Sequence, residues 1–383
     1  MMGNGDIISL KGGEVTAARS TFFAGGFAIA TWAPMIPHVK ANTGIGDDVL
    51  GILLLCIGFS AFFTMPLAGS LNRIFGCRRM LTIVVGVMAA DLLCLTQLGS
   101  LWGYAAALIV FGGAMGILDV IMNLNAVIVE NAAGKRIMSG VHAFWSIGGF
   151  CGAGLFTLLA FVGLEVYQIA LCHAILLAAV VCIFFRRLLD YRGGGSEGMF
   201  SLPKGIIIMW GVLAGISFLG EGAIMDWSGV LLLEGKGFDR EYAGSAYAMY
   251  SVAMLLMRLI GDRAVQKLGE KKSLVFGSLT AAVGFTGAAV FDNLTLLMLC
   301  FAVTGIGLAN IVPVLFSLLR FQDAMPISSA LTALTTMGYA GVIMGPSLLG
   351  FVSHLAGIAS VFFLLALLLL INMAAAWKFI PDR

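Results

Sequence analysis

Charged side chains are scarce in this chain. Asp, Glu, Lys and Arg make up 11% of its 383 residues, less than half of the ~25% that keeps a soluble domain in water. That shortage excludes water as the main solvent of the folded surface. The net charge of +2 comes with no basic patch and no acidic tail, so nucleic acid is not an expected partner. Cysteine is limited to Cys56, Cys77, Cys94, Cys151, Cys172, Cys182 and Cys300. The number is odd, no C-x-x-C occurs and nearly all lie in apolar runs, so they read as small packing residues and not as disulfides or metal ligands. There is no H-E-x-x-H, no G-x-S-x-G and no G-x-x-x-x-G-K-[ST]. An enzyme, a metal or organic cofactor and direct ATP drive are therefore not expected.

What is abundant is apolar surface: 60% of residues are hydrophobic and the mean hydropathy is +1.02. A membrane helix needs about 20 apolar residues. That ruler finds twelve runs, at 16–38, 48–71, 80–98, 102–129, 139–162, 164–186, 204–231, 243–261, 273–290, 294–319, 328–353 and 358–379. Lipid permits only helices or closed barrels, and runs without strict alternation are helices. The first run begins near Val15 and is long enough to span, so it reads as a retained helix and not as a signal peptide.

The cations fix the orientation. With both termini inside, 19 of the 22 Lys and Arg residues fall on the cytoplasmic side, and only Lys40, Lys236 and Arg240 fall outside. A split this uneven obeys the positive-inside rule, and one missed or invented span would scramble it. The expected fold is an all-α, multi-pass protein with twelve transmembrane helices and cytoplasmic termini.

The long polar break, FRRLLDYRGGGSEGMFSLPKG at 185–205, follows the sixth run. Gly194, Gly195 and Ser196 make it a flexible linker. The expected organisation is a six-helix bundle over 1–186, a linker over 187–203 and a second six-helix bundle over 204–383. The two halves repeat. AIATW (28–32) matches AIMDW (223–227), IFGCRR (74–79) matches KLGEKK (267–272), GILDVIM (116–122) resembles GLANIVP (307–313) and SIGGF (146–150) aligns with TMGYA (336–340). The offset runs only from 195 to 190. An even number of spans per half makes this a parallel repeat.

The loop GSLNRIFGCRR (69–79) resembles the signature of the major facilitator superfamily, roughly G-x-L-x-D-R-x-G-R-R. Gly69, Leu71, Gly76, Arg78 and Arg79 fit, while Arg73 stands where the family has Asp. The C-terminal copy, RLIGDRAVQKLGEKK (258–272), keeps an Asp–Arg pair in Asp262 and Arg263. LDVIMN (118–123), SGVHAFWSIGG (139–149), GEGAIMDWSGV (220–230) and GIGLANIVPVLFS (305–317) are similar to the bacterial subgroup typified by the inner-membrane protein YbjJ. The resemblance implies a transporter in a bacterial inner membrane, with spans 1, 4, 7 and 10 lining a central cavity.

Polar residues inside the apolar runs fall mainly on those spans. Span 4 carries Asp119, Asn123 and Glu130, on one face with Gly112 and Gly116. Span 7 carries Ser217, Glu221, Asp226, Trp227 and Ser228, and Gly220 and Gly222 suggest a broken helix there. Span 10 carries Asn310 and Ser317, with Pro313 as a kink. Span 1 carries Thr31 and Trp32 ahead of Pro34. An ionised carboxylate at mid-bilayer costs about 2.5–3.5 kcal/mol on insertion scales. Asp119 and Glu221 are accordingly the proton-coupling candidates. Thr31, Trp32, Asn123, Trp145, Asp226, Trp227 and Asn310 are the cavity candidates, with Tyr247 and Tyr250 weaker. Gly69, Gly76, Arg78, Arg79, Glu130, His142, Arg258, Asp262 and Arg263 are candidates for a cytoplasmic gate and loop. The blander reading stays open at each: Asp119 bonded to a neighbouring helix, Glu221 capping a helix break, His142 in a structural pair, and Asp91 in packing.

The expected function is secondary transport of a small polar solute, such as a sugar or polyol, coupled to protons, by a monomer in the bilayer. A proton-driven exporter of drugs or metabolites and a non-transporting receptor are the alternatives.

Overall fold

A computed structural model describes residues 12–45, 47–192, 202–239, 242 and 244–381. Lys11, Gly194, Gly195, Ser196, Arg240 and Arg383, used above for charge and linker, lie outside the described residues. Among the described residues there are fourteen α-helices and no strands. They are α1 (Glu14–Trp32), α2 (Ile36–Thr43), α3 (Asp47–Phe75), α4 (Cys77–Leu95), α5 (Leu101–Ala133), α6 (Met138–Phe161), α7 (Val166–Phe184), α8 (Ile206–Val230), α9 (Ser245–Leu268), α10 (Glu270–Val290), α11 (Leu294–Leu308), α12 (Ile311–Leu318), α13 (Ile327–Ala356) and α14 (Ile358–Phe379). Nine of the helical stretches are long and apolar enough to cross a membrane. The other long helices are α1, with Glu14 and Arg19, α4, with Arg78, Arg79 and Asp91, and α9, with Arg258, Asp262, Arg263 and Lys267.

Local chemistry sets the ends. Ser100 caps α5 by accepting from the Gly103 N–H at 3.2 Å, and Gly134, at φ 59°, closes it in the left-handed region that glycine enters freely. Glu165 and Gln168 form a reciprocal capping box at the start of α7. Pro34 sits in a 3-10 turn, Ala33–Met35, that separates α1 from α2. The expected kink in the tenth run is a break between α11 and α12 at Ala309–Asn310, with Pro313 in the first turn of α12.

One expectation is corrected. Gly220 and Gly222 do not break the seventh run, because α8 is continuous from Ile206 to Val230. A Cβ at Gly220 would make ordinary contact with Leu308 and Phe285, at 3.4 and 3.6 Å. The irregular turn comes later, as a π-helical turn at Leu231–Gly235.

The chain forms two compact units. One gathers 1–135, 144–203 and 325–333, and the other 136–143, 204–324 and 334–383. Each unit therefore contains a short stretch from the other half of the sequence: the start of α6 belongs with the second unit and the start of α13 with the first.

In the first unit α5 is the central helix, packed against α3, α4 and α1. The α5 face bearing Gly112 and Gly116 lies on α3, with those glycines against the backbone of Ile57 and Ala61. The α1–α6 seam is built the same way, with Gly26 against the Trp145 carbonyl and Gly148 and Gly152 against the Phe23 and Phe27 carbonyls. Small residues allow backbones to touch where lipid offers no hydrophobic drive. The second unit repeats the device where Gly341 of α13 meets Gly215 of α8. It also repeats the loop. Gly76 and Gly269 have φ of 83° and 79° and stand at the N-caps of α4 and α10. A side chain at either position would be strained.

Candidate functional site

A cluster of charged groups in the second unit surrounds α9. Arg258 is 6% exposed. Its Nη2 lies 3.5 Å from Glu221 Oε1 on α8, and its Nε donates to the Ala309 carbonyl at 3.2 Å. That carbonyl is available because residue 313 is a proline. Pro313 has no N–H to return to residue 309, so the helix break exposes an acceptor that the guanidinium takes up. Sequence, break and bound cation are thus one causal chain. Tyr250, one helical face away at two turns from Arg258, is buried, and its hydroxyl has no hydrogen-bond partner among the described residues. Asn310 is buried at the break, and its Oδ1 fills the space left by Gly261.

One turn further along α9, Asp262 accepts from two backbone N–H groups at the start of α6, Ser139 at 2.9 Å and Gly140 at 3.0 Å. A carboxylate there satisfies two orphan donors and complements the positive end of the helix dipole. Gly261 also matters here, because a Cβ would meet the Ser139 side chain at 2.7 Å. His142 stacks on Phe316 of α12, with ring centroids 6.0 Å apart and planes 12° apart. Next to this cap, Glu270 binds two guanidinium groups, Arg136 at 2.8 Å and Arg320 at 3.3 Å, and is itself 2% exposed. The start of α6 is therefore held to α9 by Asp262, and Arg136, two residues before it, is held to α10 by Glu270.

In the first unit Asp119 is buried on α5, and its nearest partner is on the same helix. Asn123 Nδ2 donates to the Asp119 carbonyl at 2.9 Å and reaches Asp119 Oδ1 at 3.4 Å. Asn123 Oδ1 has no partner among the described residues. Glu130 is buried further along α5. Thr31 is fully buried, with its hydroxyl donated to the Phe27 carbonyl at 2.7 Å, and Trp32 is buried beside it. The ring of half-buried Trp145 packs on Gly25 of α1. In the loop, Arg78 donates twice to the Leu188 carbonyl, at 3.1 and 2.8 Å, and so pins the segment after α7. Gly69 lies near Thr332, and Arg79 is exposed.

The remaining candidates lie apart from these clusters. Asp226 is exposed, Trp227 is half-buried with its ring 3.4 Å from the position of a Cβ on Gly350, and Arg263 is exposed. Asp91 is buried on α4, and its Oδ2 has no partner among the described residues.

Comparison with known proteins decides the family. Residues 210–383 match the family described as Major Facilitator Superfamily. An uncharacterised MFS-type transporter of Yersinia pestis is 39% identical over 364 residues, which is 95% of each chain. The chain belongs to the Major Facilitator Superfamily. Two solved facilitators share its fold at low identity. The human organic anion transporter MFSD10 (TETRAN) has a TM-score of 0.76 at 16% identity, covering 95% of this chain and 98% of the other. The E. coli fucose:proton symporter FucP has a TM-score of 0.74 at 16% identity, covering 96% and 98%.

Several members of this facilitator's charged network escape sequence reasoning. Glu270 reads as part of a basic loop, LGEKK, and its partners Arg136 and Arg320 are 134 and 50 residues away. Asp262 is visible as an Asp–Arg pair, but the structure shows it using backbone N–H groups of α6. The signal for the Arg258 site is the A-N-I-V-P spacing of residues 309–313. A proline four residues after Ala309 frees one carbonyl, although nothing in the sequence says which cation takes it.

Proposed function

We propose that this facilitator is a secondary active transporter. In this reading it moves a small polar solute, such as a sugar or polyol, across a bacterial inner membrane by alternating access coupled to protons. It works as a monomer, and it crosses the bilayer twelve times with both termini in the cytoplasm. The observation that carries the reading is the buried Glu221–Arg258 pair between the apolar helix α8 and its neighbour α9 in the second unit. Two charges in that environment are expensive and mark a functional site by default. The pair is loose at 3.5 Å, and Glu221 keeps 23% of its side chain exposed. A carboxylate held this way can take up a proton, release the guanidinium to a solute oxygen, and re-pair when the proton leaves. Asp119, whose side chain is paired among the described residues with an amide on its own helix, is the second proton candidate. The fold shared with a fucose:proton symporter supports the same reading. An organic anion is the rival cargo. It would pair directly with Arg258, and the fold is shared with an organic anion transporter as well.

The test is flux in proteoliposomes holding the purified protein, with a panel of labelled sugars, polyols and organic anions and an imposed pH gradient. A transported sugar or polyol should accumulate only with the gradient. Glu221→Gln should lose that accumulation while retaining exchange without a gradient. Undiminished gradient-driven uptake by the variant would remove Glu221 from the mechanism. Flux of an organic anion alone would move the assignment to the rival cargo, and no flux of any solute would favour a receptor.

A further inference from the structure

The exposed apolar faces of α10 and α14 both run into charge at one end of the second unit. On α10, Phe276, Leu279 and Val283 form an exposed stripe at helical spacing. Lys272, one turn before Phe276, is exposed on the same face. From Lys272 to Val283 the helix rises about 16 Å, close to the ~15 Å hydrocarbon depth of one leaflet. On α14, Phe363, Leu367 and Leu370 form the matching stripe, and Trp377, two turns on, continues it at 64% exposure. The two helices pack on each other, and both are long and apolar enough to cross a membrane.

The charged ends meet. Lys271 Nζ lies 5.1 Å from the centre of the Trp377 ring, so the start of α10 touches the end of α14. Lys378 Nζ lies 5.1 Å from the centre of the Phe379 ring, and Lys267 is exposed in the last turn of α9, just ahead of α10. Glu270, in the first turn of α10, is turned away from this surface, because it is buried and bound to Arg136 and Arg320. Tryptophan favours the headgroup level of a bilayer, and lysines next to it attract anionic lipid. A dissolved phosphate would meet the lysines but not the stripes. An amphiphile with a negative head matches both.

We propose that the shared end of α10 and α14 binds an anionic phospholipid, with its headgroup phosphate at Lys271, Lys272 and Lys378 and its acyl chains along the two apolar stripes. The site is separate from Glu221 and Arg258 and does not depend on which solute is moved. Its place in the cytoplasmic leaflet rests on the orientation proposed above. The headgroup preference does not, because it can be read in detergent, where no side of a membrane exists.

The test is native mass spectrometry of the full protein in detergent, titrated with phosphatidylglycerol or with phosphatidylcholine of the same acyl chains. The wild-type protein should bind its first phosphatidylglycerol about tenfold more tightly than phosphatidylcholine. A triple variant, Lys271→Gln with Lys272→Gln and Lys378→Gln, should lose most of that preference. Lys135→Gln with Arg186→Gln and Arg192→Gln removes the same charge from exposed positions of the first unit and should retain it. Equal loss in the two triple variants would reduce the effect to net charge and overturn the site, as would equal affinity of the wild-type protein for the two lipids. A phosphatidylglycerol with a photoreactive headgroup gives a readout that needs no variant. It should label the wild-type protein within 267–272 or 377–379, and labelling confined to other segments would also overturn the proposal.

Discussion

Replacing Glu221 by Gln leaves the Arg258 guanidinium 6% exposed beside an amide. Removing one partner of a buried pair costs about 3–5 kcal/mol, because the other charge is stranded. Three features here reduce that. The pair is 3.5 Å apart, Glu221 is 23% exposed, and Arg258 keeps its bond to the Ala309 carbonyl. The low end, about 2–3 kcal/mol, is the expected loss. At roughly 2–4 °C per kcal/mol for a large domain, that is a fall of about 4–12 °C in Tm. Arg258→Gln should cost more than Glu221→Gln, since it also strands the Ala309 carbonyl freed by Pro313. The double variant should recover at least about 1.5 kcal/mol relative to the sum of the two, because neither charge is then left alone. The assay is thermal unfolding of the four proteins in one detergent. Additive losses would refute the reasoning, since they would mean that the two side chains do not interact in the folded protein.

Three other outcomes follow from the same structure. Asp262→Asn keeps an acceptor for one N–H but loses the charge and the second bond. It should speed amide hydrogen exchange in the first turn of α6, Met138 to Val141, by about tenfold, a loss near 1.4 kcal/mol; unchanged exchange would remove Asp262 as the cap. Glu270→Gln leaves Arg136 and Arg320 facing each other without their carboxylate and should lower stability by about 2–4 kcal/mol. Adding Arg320→Gln should return part of that, as read by melting temperature. Gly148→Ala puts a methyl group on the Phe23 carbonyl across the α1–α6 seam and should cost about 1–3 kcal/mol, whereas Gly154→Ala, with open space around it, should leave the melting temperature unchanged.

These perturbations probe two kinds of structure. The glycine seams are rigid because backbone meets backbone and no side chain can yield. Asp262, at the start of α6, and Glu270, on Arg136 just before it, make bonds that can be exchanged for water or for other donors. The alternating access proposed above would use both: seams that stay packed and contacts that can be broken at modest cost.

Composition and periodicity made the helical membrane character legible, because a chain with so little charge and runs near 20 apolar residues has few other ways to fold. The kink near Pro313 was legible from a missing N–H, whereas the 3-10 turn at Ala33–Met35 interrupts a run that read as continuous over 16–38. The recurrence of Gly76 at Gly269 was legible too, because only glycine accepts that backbone readily. The contrary reading of Gly220 and Gly222 shows the limit of such rules. Glycine permits a break without requiring one, and α8 runs through both positions. The stripe of Gly112 and Gly116 in line with Asp119 had the same ambiguity, and packing on α3 resolved it for the glycines. What tertiary structure alone decided is which polar groups meet. Arg258 with Ala309, Glu270 with Arg136, and His173 with Gly152 are separated by 51, 134 and 21 residues. Local sequence fixes the donors and acceptors a residue carries, but a pairing over such distances depends on where distant helices come to lie.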